Sequence, residues 1–359
     1  MRARFPATVD PTAYLNTHVT RAKTPGLQYL VVDRERIRFE YNGGWADVRH
    51  RVPMTAATTM MAYSMSKTIT AAAVLQLVAA RQAALDDPID KYHTTPYGPG
   101  ISIRHLLAHL SGIPNPIPLR WVHSAARHAG FDEQAALDAE MRAHPRSASA
   151  PGARYRYSNI GYWLLGSVVE RASGQPFASY VTERVLTPLG ISGSDLGYVI
   201  PDPSRHAHGY LEKYSFMNLA KRLLIDREFI GSYEGPWLRI EPHYMNGPAF
   251  GGLVGTAHGF GKLLQDELRA QSVLFDRATR SVFYASQRTT TGRLVPMTLG
   301  WHIGALGDIP FFYTEGGGGG FHCEMRVYRA TGLGTVLMSN ATGFAVRRCL
   351  NGLDRVFLG

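Results

Sequence analysis

Both ends of this 359-residue chain have the residue pattern of β-strands, whereas the middle has mostly the pattern of helices. Two strand-like segments between Gly26 and Trp45 flank Arg34-Glu35, which predicts a hairpin. Strand patterns return after residue 251, at residues 300–304, 321–328 and 334–339, and a final helix is predicted over about 345–357. This order favours one sheet completed by both termini.

The middle of the chain predicts a helical lobe inserted into that sheet. A helix from about Ser66 to Arg81 has apolar positions that fit burial against the sheet. Further candidate helices cover residues 103–107, 132–143, 160–172, 177–185 and 218–225. We therefore expect a mixed α/β (α+β) fold, with a sheet domain from residues 1–85 and 247–359 and a mainly helical lobe from 86–246. A functional site is expected in the cleft between them.

Composition excludes several classes of protein. Hydrophobic residues make up 45% and charged residues 18% of the chain, which is typical of a globular protein. The longest apolar stretch, 69–80, is too short and too interrupted to span a bilayer. Two prolines and an aspartate within the first eleven residues interrupt the apolar run that a signal peptide needs. A cytoplasmic protein without a membrane partner is expected.

The distribution of charged residues and of possible metal ligands argues against a nucleic-acid partner and a bound metal. The net charge of +10 comes from basic residues scattered among acidic ones, so no nucleic-acid partner is expected. Cys323 and Cys349 are the only cysteines and have no metal-binding spacing. His206 and His208 would offer a metal only two ligands. We therefore expect no metal and no cofactor, and the oligomeric state stays open.

The tetrapeptide Ser64-Met65-Ser66-Lys67 at a predicted helix start is a candidate for nucleophilic catalysis. A Ser and a Lys three residues apart share a helical face, so the amine can lie beside the hydroxyl. Lysine acts as a base near neutral pH only if burial or a nearby cation lowers its pKa from about 10.4. The alternative is an ordinary helix-start serine followed by a solvated lysine.

Tyr157-Ser158-Asn159 is the best candidate for a third polar group that shares the proton transfer. Tyr-x-Asn occurs three times in the chain, but only this copy lies between a Pro-Gly turn and a strong helix. Such a short rigid loop would fix the tyrosine in place. The alternative is a loop tyrosine that bonds a backbone carbonyl.

Seven segments of the chain follow one another in a recognisable order. They are Tyr63–Thr68, Leu106–Gly112, Pro151–Tyr162, Pro188–Ile191, Gly251–Thr256, Leu299–Trp301 and Gly320-Phe321. Together they resemble the serine hydrolase family of class C β-lactamases, which also contains D,D-peptidases, D-amino-acid peptidases, family VIII esterases and acyltransferases. The resemblance implies a β-lactamase/transpeptidase-like fold with an antiparallel sheet.

The resemblance also implies roles for individual residues. Ser64 would be the acylated nucleophile, Lys67 would activate it, and Tyr157 would carry its proton to the leaving group. Asn159 would orient Lys67 and bind a substrate carbonyl. His109 lies in a segment that we interpret as a structural turn entering the cleft.

The chain departs from the family at its third motif, Lys-Thr-Gly or His-x-Gly on a strand beside the site. Counting back from Gly320-Phe321 places Thr314-Glu315-Gly316 there, and the backbone N–H groups of Ser64 and Gly317 would then form the oxyanion hole. Glycines would let a substrate lie close to this strand. An anion at Glu315 should repel a carboxylate, tolerate a neutral ester or attract an amine. Alternatively, Glu315 turns away and pairs with an arginine.

The resulting hypothesis is a serine hydrolase acting through an acyl-enzyme on a small neutral carboxylic ester. A D-amino-acid peptidase or amidase, a β-lactamase, an acyltransferase and a catalytically silent binding protein are the alternatives. The segment 206–244 is rich in aromatic residues, which either wall an apolar acyl pocket or pack the lobe.

Overall fold

The computed structural model describes residues 10–118, 120–224 and 226–359. The α-helices are α1 (Pro11–Thr20), α2 (Ser66–Ala79), α3 (Ile103–Leu107), α4 (Ala125–His128), α5 (Glu133–Ala143), α6 (Asn159–Ser173), α7 (Phe177–Val181), α8 (Phe216–Leu224), α9 (Pro248–Gly251), α10 (Ala257–Leu268), α11 (Arg277–Phe283) and α12 (Val346–Leu358). The strands are β1 (Gly26–Val32), β2 (Ile37–Asp47), β3 (Val52–Pro53), β4 (Met60–Met61), β5 (Val122–His123), β6 (Leu196–Gly197), β7 (Gly209–Glu212), β8 (Ile230–Glu234), β9 (Trp237–Ile240), β10 (Tyr244–Met245), β11 (Val254–Gly255), β12 (His302–Leu306), β13 (Ile309–Gly318), β14 (Phe321–Tyr328) and β15 (Leu333–Ser339).

The main sheet has seven strands in the order β12-β13-β14-β15-β1-β2-β3. Each described pair of neighbouring strands in it is antiparallel. The first and last thirds of the chain meet where β1 pairs with β15, from Leu27 opposite Ser339 to Val32 opposite Gly334. The expected antiparallel sheet built from both termini is confirmed.

The central strands are buried on both faces. All seven residues of β1 are buried, and they alternate between two cores. Leu27, Tyr29 and Val31 belong to the core that includes residues of α1 and α12. Leu30 and Val32 belong to the core that includes α2, α6 and α10. This second core covers almost the whole of α2 and therefore fixes the start of that helix rigidly.

Most of the predicted elements are present with boundaries shifted by a few residues. The lobe contains the expected helices, and residue 225, the last of the predicted helix 218–225, lies outside the described residues. The lobe also contains a three-stranded sheet, β7-β9-β8, which the sequence pattern did not predict. The division of the chain at residues 85/86 and 246/247 remains a prediction.

Membrane-spanning helices were searched for in the described parts of the chain. No helix there combines the length and the apolar character needed to cross a bilayer.

Candidate active site

Ser64 lies in a single turn of 3₁₀ helix, Tyr63–Met65, directly before α2. Tyr63 has a φ of 44°, in the left-handed region that a non-glycine residue adopts at a cost of about 1–2 kcal/mol. The Tyr63 hydroxyl lies 2.8 Å from the carbonyl oxygen of Gly319, and its ring is buried. The surrounding contacts therefore hold a sharp turn that presents Ser64 at the end of the buried helix.

The lysine one turn further along is buried and fully partnered. Lys67 is 3% exposed, and its Nζ lies 2.9 Å from Ser64 Oγ. The same nitrogen lies 2.8 Å from Asn159 Oδ1 and 2.7 Å from the carbonyl oxygen of Phe250. Burial lowers the pKa of the Lys67 amine well below its usual value. A neutral amine fits these partners, because it can donate to two oxygens and accept the Ser64 proton.

Tyr157 completes the contacts of the serine. Its hydroxyl donates to Ser64 Oγ at 2.7 Å. Burial raises the pKa of Tyr157, and the hydrogen bond to Ser64 offsets only part of this increase. The phenol is therefore neutral at physiological pH and has a proton to give. Lys67 is the neighbouring group whose pKa shift suits a base.

The loop that carries Tyr157 and Asn159 is fixed at several points. The Ser158 backbone N–H donates to His109 Nδ1 at 3.1 Å, and the ring of His109 lies 4.4 Å from that of Tyr157. The Asn159 backbone N–H donates to Asn115 Oδ1 at 2.9 Å. Burial lowers the pKa of His109 well below its usual value, so this imidazole is neutral. These contacts agree with a structural role for His109.

The β13 strand runs past the serine with part of one edge unpaired. Its neighbour β12 pairs only with Ile309–Tyr313, so residues 314–318 have no strand partner on that side among the described residues. Thr314 Oγ1 donates to the Ser64 carbonyl oxygen at 3.3 Å. Cys323 Sγ lies 3.3 Å from the carbonyl oxygens of both Ala62 and Gly316, so it joins the strand to the serine turn. The oxyanion hole of Ser64 and Gly317 remains a prediction.

Glu315 turns away from the serine, as in the second of the two alternatives that the sequence left open. Its carboxylate accepts a hydrogen bond from His322 Nε2 at 2.8 Å and pairs with Arg347 of α12. Burial alone would raise the pKa of Glu315, but the His322 hydrogen bond and the Arg347 charge lower it. Because its charge is compensated, Glu315 has little left with which to attract a substrate amine or repel a carboxylate.

A glycine at position 316 is required by the close approach of β13 to the serine turn. A Cβ there would overlap the Ala62 carbonyl oxygen and lie 3.0 Å from the Ser64 nitrogen. We expect Gly316→Ala to lower kcat/KM for a short ester by about 100-fold, because small displacements of a nucleophile have effects of this size. Gly193→Ala is the control, since no neighbouring atom would lie within 4 Å of its added Cβ. Equal losses in both variants, with unchanged melting temperatures, would contradict the packing argument.

The two histidines considered for metal binding have separate partners. His206 Nδ1 lies 3.0 Å from Thr59 Oγ1, whereas His208 Nε2 lies 3.4 Å from Asp47 Oδ2. Across residues 10–118, 120–224 and 226–359, no group of three or more His, Cys, Asp or Glu side chains is arranged to hold a metal ion.

The structure adds residues that the sequence did not single out. Phe250 contributes a carbonyl oxygen to Lys67, and a backbone acceptor leaves no signal in a sequence. Asn115 anchors Asn159 from between two prolines, a position that could have drawn attention to it. The His302 ring stacks on Tyr157 at 6.3 Å.

Comparisons with known proteins bear on the family and the fold of this chain. The family model described as Beta-lactamase matches residues 12–356. Esterase EstB from Burkholderia gladioli is 31% identical over 232 residues, which are 57% of this chain and 58% of that protein. Penicillin-binding protein 4* from Bacillus subtilis is 26% identical over 186 residues, which are 51% of this chain and 41% of that protein. The chain thus spans about half the length of the curated relatives it matches.

Among solved structures, D-amino acid amidase from Ochrobactrum anthropi SV3, complexed with L-phenylalanine amide, has a TM-score of 0.80. The match covers 97% of this chain and 96% of that chain, at 21% identity, which shows a shared fold. The family model alone covers nearly all of the sequence. The chain belongs to the Beta-lactamase family.

Proposed function

We propose that this protein is a serine hydrolase that cleaves neutral carboxylic esters through an acyl-enzyme on Ser64. One observation carries the proposal: Ser64 Oγ lies within hydrogen-bond distance of both a buried amine, Lys67, and a neutral phenol, Tyr157. The first is a base with a lowered pKa and the second is an acid. This is the arrangement that activates a serine and protonates a leaving group.

The reaction proceeds in two steps, acylation of Ser64 and hydrolysis of the acyl-enzyme. Ser64 Oγ attacks the ester carbonyl carbon as its proton passes to Lys67, and the backbone N–H groups of Ser64 and Gly317 stabilise the oxyanion. The bond to the alcohol oxygen then breaks, and Tyr157 gives its proton to the departing alkoxide while Lys67 restores that proton to Tyr157. Water attacks the acyl-enzyme by the reverse route, which releases the acid and free Ser64.

The unpaired edge of β13 beside Ser64 favours a neutral ester over a carboxylate-bearing substrate. Thr314 is uncharged and its hydroxyl is engaged with Ser64. The guanidinium of Arg347 is engaged with Glu315 and with Glu324. A substrate carboxylate would have to compete with these partners. The 31% identity to an esterase supports the same choice.

A comparison of three substrates tests the proposed substrate class. We expect kcat/KM for p-nitrophenyl acetate to exceed that for nitrocefin, a chromogenic cephalosporin, and for D-alanine p-nitroanilide by at least about 100-fold. Faster cleavage of the D-alanine anilide than of its N-acetyl form, with little ester hydrolysis, would instead establish an aminopeptidase. Transfer to added methanol with no free acid formed would establish an acyltransferase.

A further inference from the structure

A cavity of about 250 Å³ opens beside the far end of β13. Its wall consists largely of apolar side chains from the inserted lobe. They are Ile117, Val122, Leu211, Met217, Ile240 and Met245. The floor is formed by Tyr63 and the backbone of Gly317–Gly319, so the cavity begins where the strand passes the serine turn.

The cavity lies away from the proton-transfer residues. Ser64, Lys67, Tyr157 and Thr314 are not part of its wall, whereas Tyr63, which precedes the serine, and Gly317, the proposed oxyanion donor, are. The leaving alcohol must depart next to Tyr157, because that hydroxyl protonates it. The part of the substrate that remains on Ser64 therefore extends past Gly317 into the cavity. This assigns the cavity to the acyl group.

Two long polar side chains at the cavity wall have protein partners. Arg120 pairs with Asp226 at 3.0 Å. Lys221 Nζ donates to the carbonyl and side-chain oxygens of Asn218 at 2.9 and 2.7 Å. These side chains keep those hydrogen bonds when an apolar group occupies the cavity, and the Gly317 N–H remains available to the ester oxygen.

His243, another titratable group of the wall, is also partnered. Its Nδ1 lies 3.0 Å from the Glu241 carbonyl oxygen and its Nε2 lies 3.1 Å from the Tyr63 hydroxyl. Burial lowers the pKa of His243, so the ring is neutral. Among these side chains, Arg120 faces an opposite charge and His243 is neutral, whereas the stated partners of Lys221 are neutral oxygens that carry no opposite charge.

We propose that this cavity binds an unbranched medium-chain acyl group, and that the preferred substrates are esters of acids with about eight carbons. The inference rests on the proposed function. An apolar cavity of about 150 Å³ holds benzene, which has six carbons, so one of about 250 Å³ accommodates a chain of about eight to ten carbons. Each buried methylene strengthens binding by about fourfold. We expect p-nitrophenyl octanoate to be hydrolysed with a kcat/KM at least tenfold above that of the acetate.

Two tryptophan substitutions on the same helix test the assignment. Met217 faces the cavity from α8, whereas Leu219 on that helix is 84% exposed. We expect Met217→Trp to fill the cavity and lower the octanoate-to-acetate ratio of kcat/KM at least tenfold, with acetate hydrolysis within threefold of the wild type. Leu219→Trp should leave both esters unaffected. Met217→Ala, which enlarges the space, should move the optimum toward decanoate or dodecanoate.

Hydrolysis of the two esters separates the cavity assignment from the proposed function. Equal acetate and octanoate rates in the wild type, or an octanoate-to-acetate ratio unchanged in folded Met217→Trp, would overturn the cavity assignment alone. If the wild type cleaves neither ester, the proposed function fails, and calorimetry with octanamide, a neutral molecule with the same chain, then tests the cavity separately. Octanamide binding that is lost in Met217→Trp but kept in Leu219→Trp would support the assignment, and no binding to the wild type would overturn it.

Discussion

Replacing Ser64 with alanine is expected to lower kcat/KM for p-nitrophenyl esters by at least about 10⁴-fold. The substitution removes the atom that forms the covalent intermediate, and knocking out the nucleophile of other serine hydrolases has effects of this size or larger. Lys67 and Tyr157 converge on this oxygen at 2.9 and 2.7 Å, so no other described hydroxyl stands in the same position. The measurement is steady-state hydrolysis of the acetate and octanoate esters.

Folding is the control for this variant. Ser64→Ala leaves Lys67 bonded to Asn159 and to the Phe250 carbonyl, so the melting temperature should change by only a few degrees. Alanine at Ser192, an exposed serine, should leave activity unchanged. A folded Ser64→Ala protein that retains more than a tenth of wild-type turnover would contradict the proposed mechanism.

Lys67→Met is expected to reduce kcat/KM by about 10³-fold or more. Methionine approximates the length and volume of lysine, so it keeps much of the packing while removing the group that accepts the Ser64 proton. General-base catalysis raises the rate of such reactions by about 10²–10⁴-fold. In addition, two oxygens that accept hydrogen bonds from Lys67, Asn159 Oδ1 and the Phe250 carbonyl, lose their donor. Lys67→Arg is the informative companion, because it places a cation that cannot deprotonate where the wild type has a neutral amine. A strongly active arginine variant would contradict a neutral Lys67 as base.

The pH dependence follows from the lowered pKa of Lys67. Only the neutral amine can accept a proton, so kcat/KM should rise with pH through the lowered pKa and level off well below pH 10. The rise should be absent in Lys67→Met. The free energy of unfolding should also rise with pH. The reason is that Lys67 binds a proton in the unfolded chain up to about pH 10.4, whereas in the folded chain it loses that proton at lower pH. The wild type should therefore gain stability relative to Lys67→Met as the pH is raised between those two pKa values.

Much of the fold could be predicted because its main elements have regular patterns. The hairpin β1-β2 and the helices α2 and α6 combine continuous apolar or periodic residues with clear turn signals. By contrast, β13 ends in a run of glycines, whose low strand propensity conceals the strand. Its pairing with β14, opposite residues 321–327, overrides that propensity. The sheet β7-β9-β8 was missed because its strands are only four or five residues long.

In the candidate site, too, contacts between residues close in sequence could be predicted, whereas contacts made by tertiary packing could not. Ser64 and Lys67 are one helical turn apart, so their contact follows from local geometry. The approach of Tyr157 and Asn159 depends on packing between α2 and α6. The loop context made Tyr157 a candidate, whereas the role of Asn159 beside Lys67 was expected only through the family resemblance. The sequence could not decide which way the Glu315 side chain points, because its partner Arg347 lies 32 residues further along the chain and no local pattern joins the two residues. The acyl cavity combines residues from the lobe and β13, so it too appears only in the folded chain.

The most direct test of the central claim is to locate a covalent label on the protein. After incubation with a fluorophosphonate, peptide mass spectrometry should find one phosphonyl group per chain, attached to Ser64 in the peptide that contains Lys67. The Ser64→Ala variant should remain unlabelled under the same conditions. A folded wild-type protein that is not labelled, or that carries the label at another residue while Ser64 stays free, would contradict the assignment of Ser64 as the nucleophile.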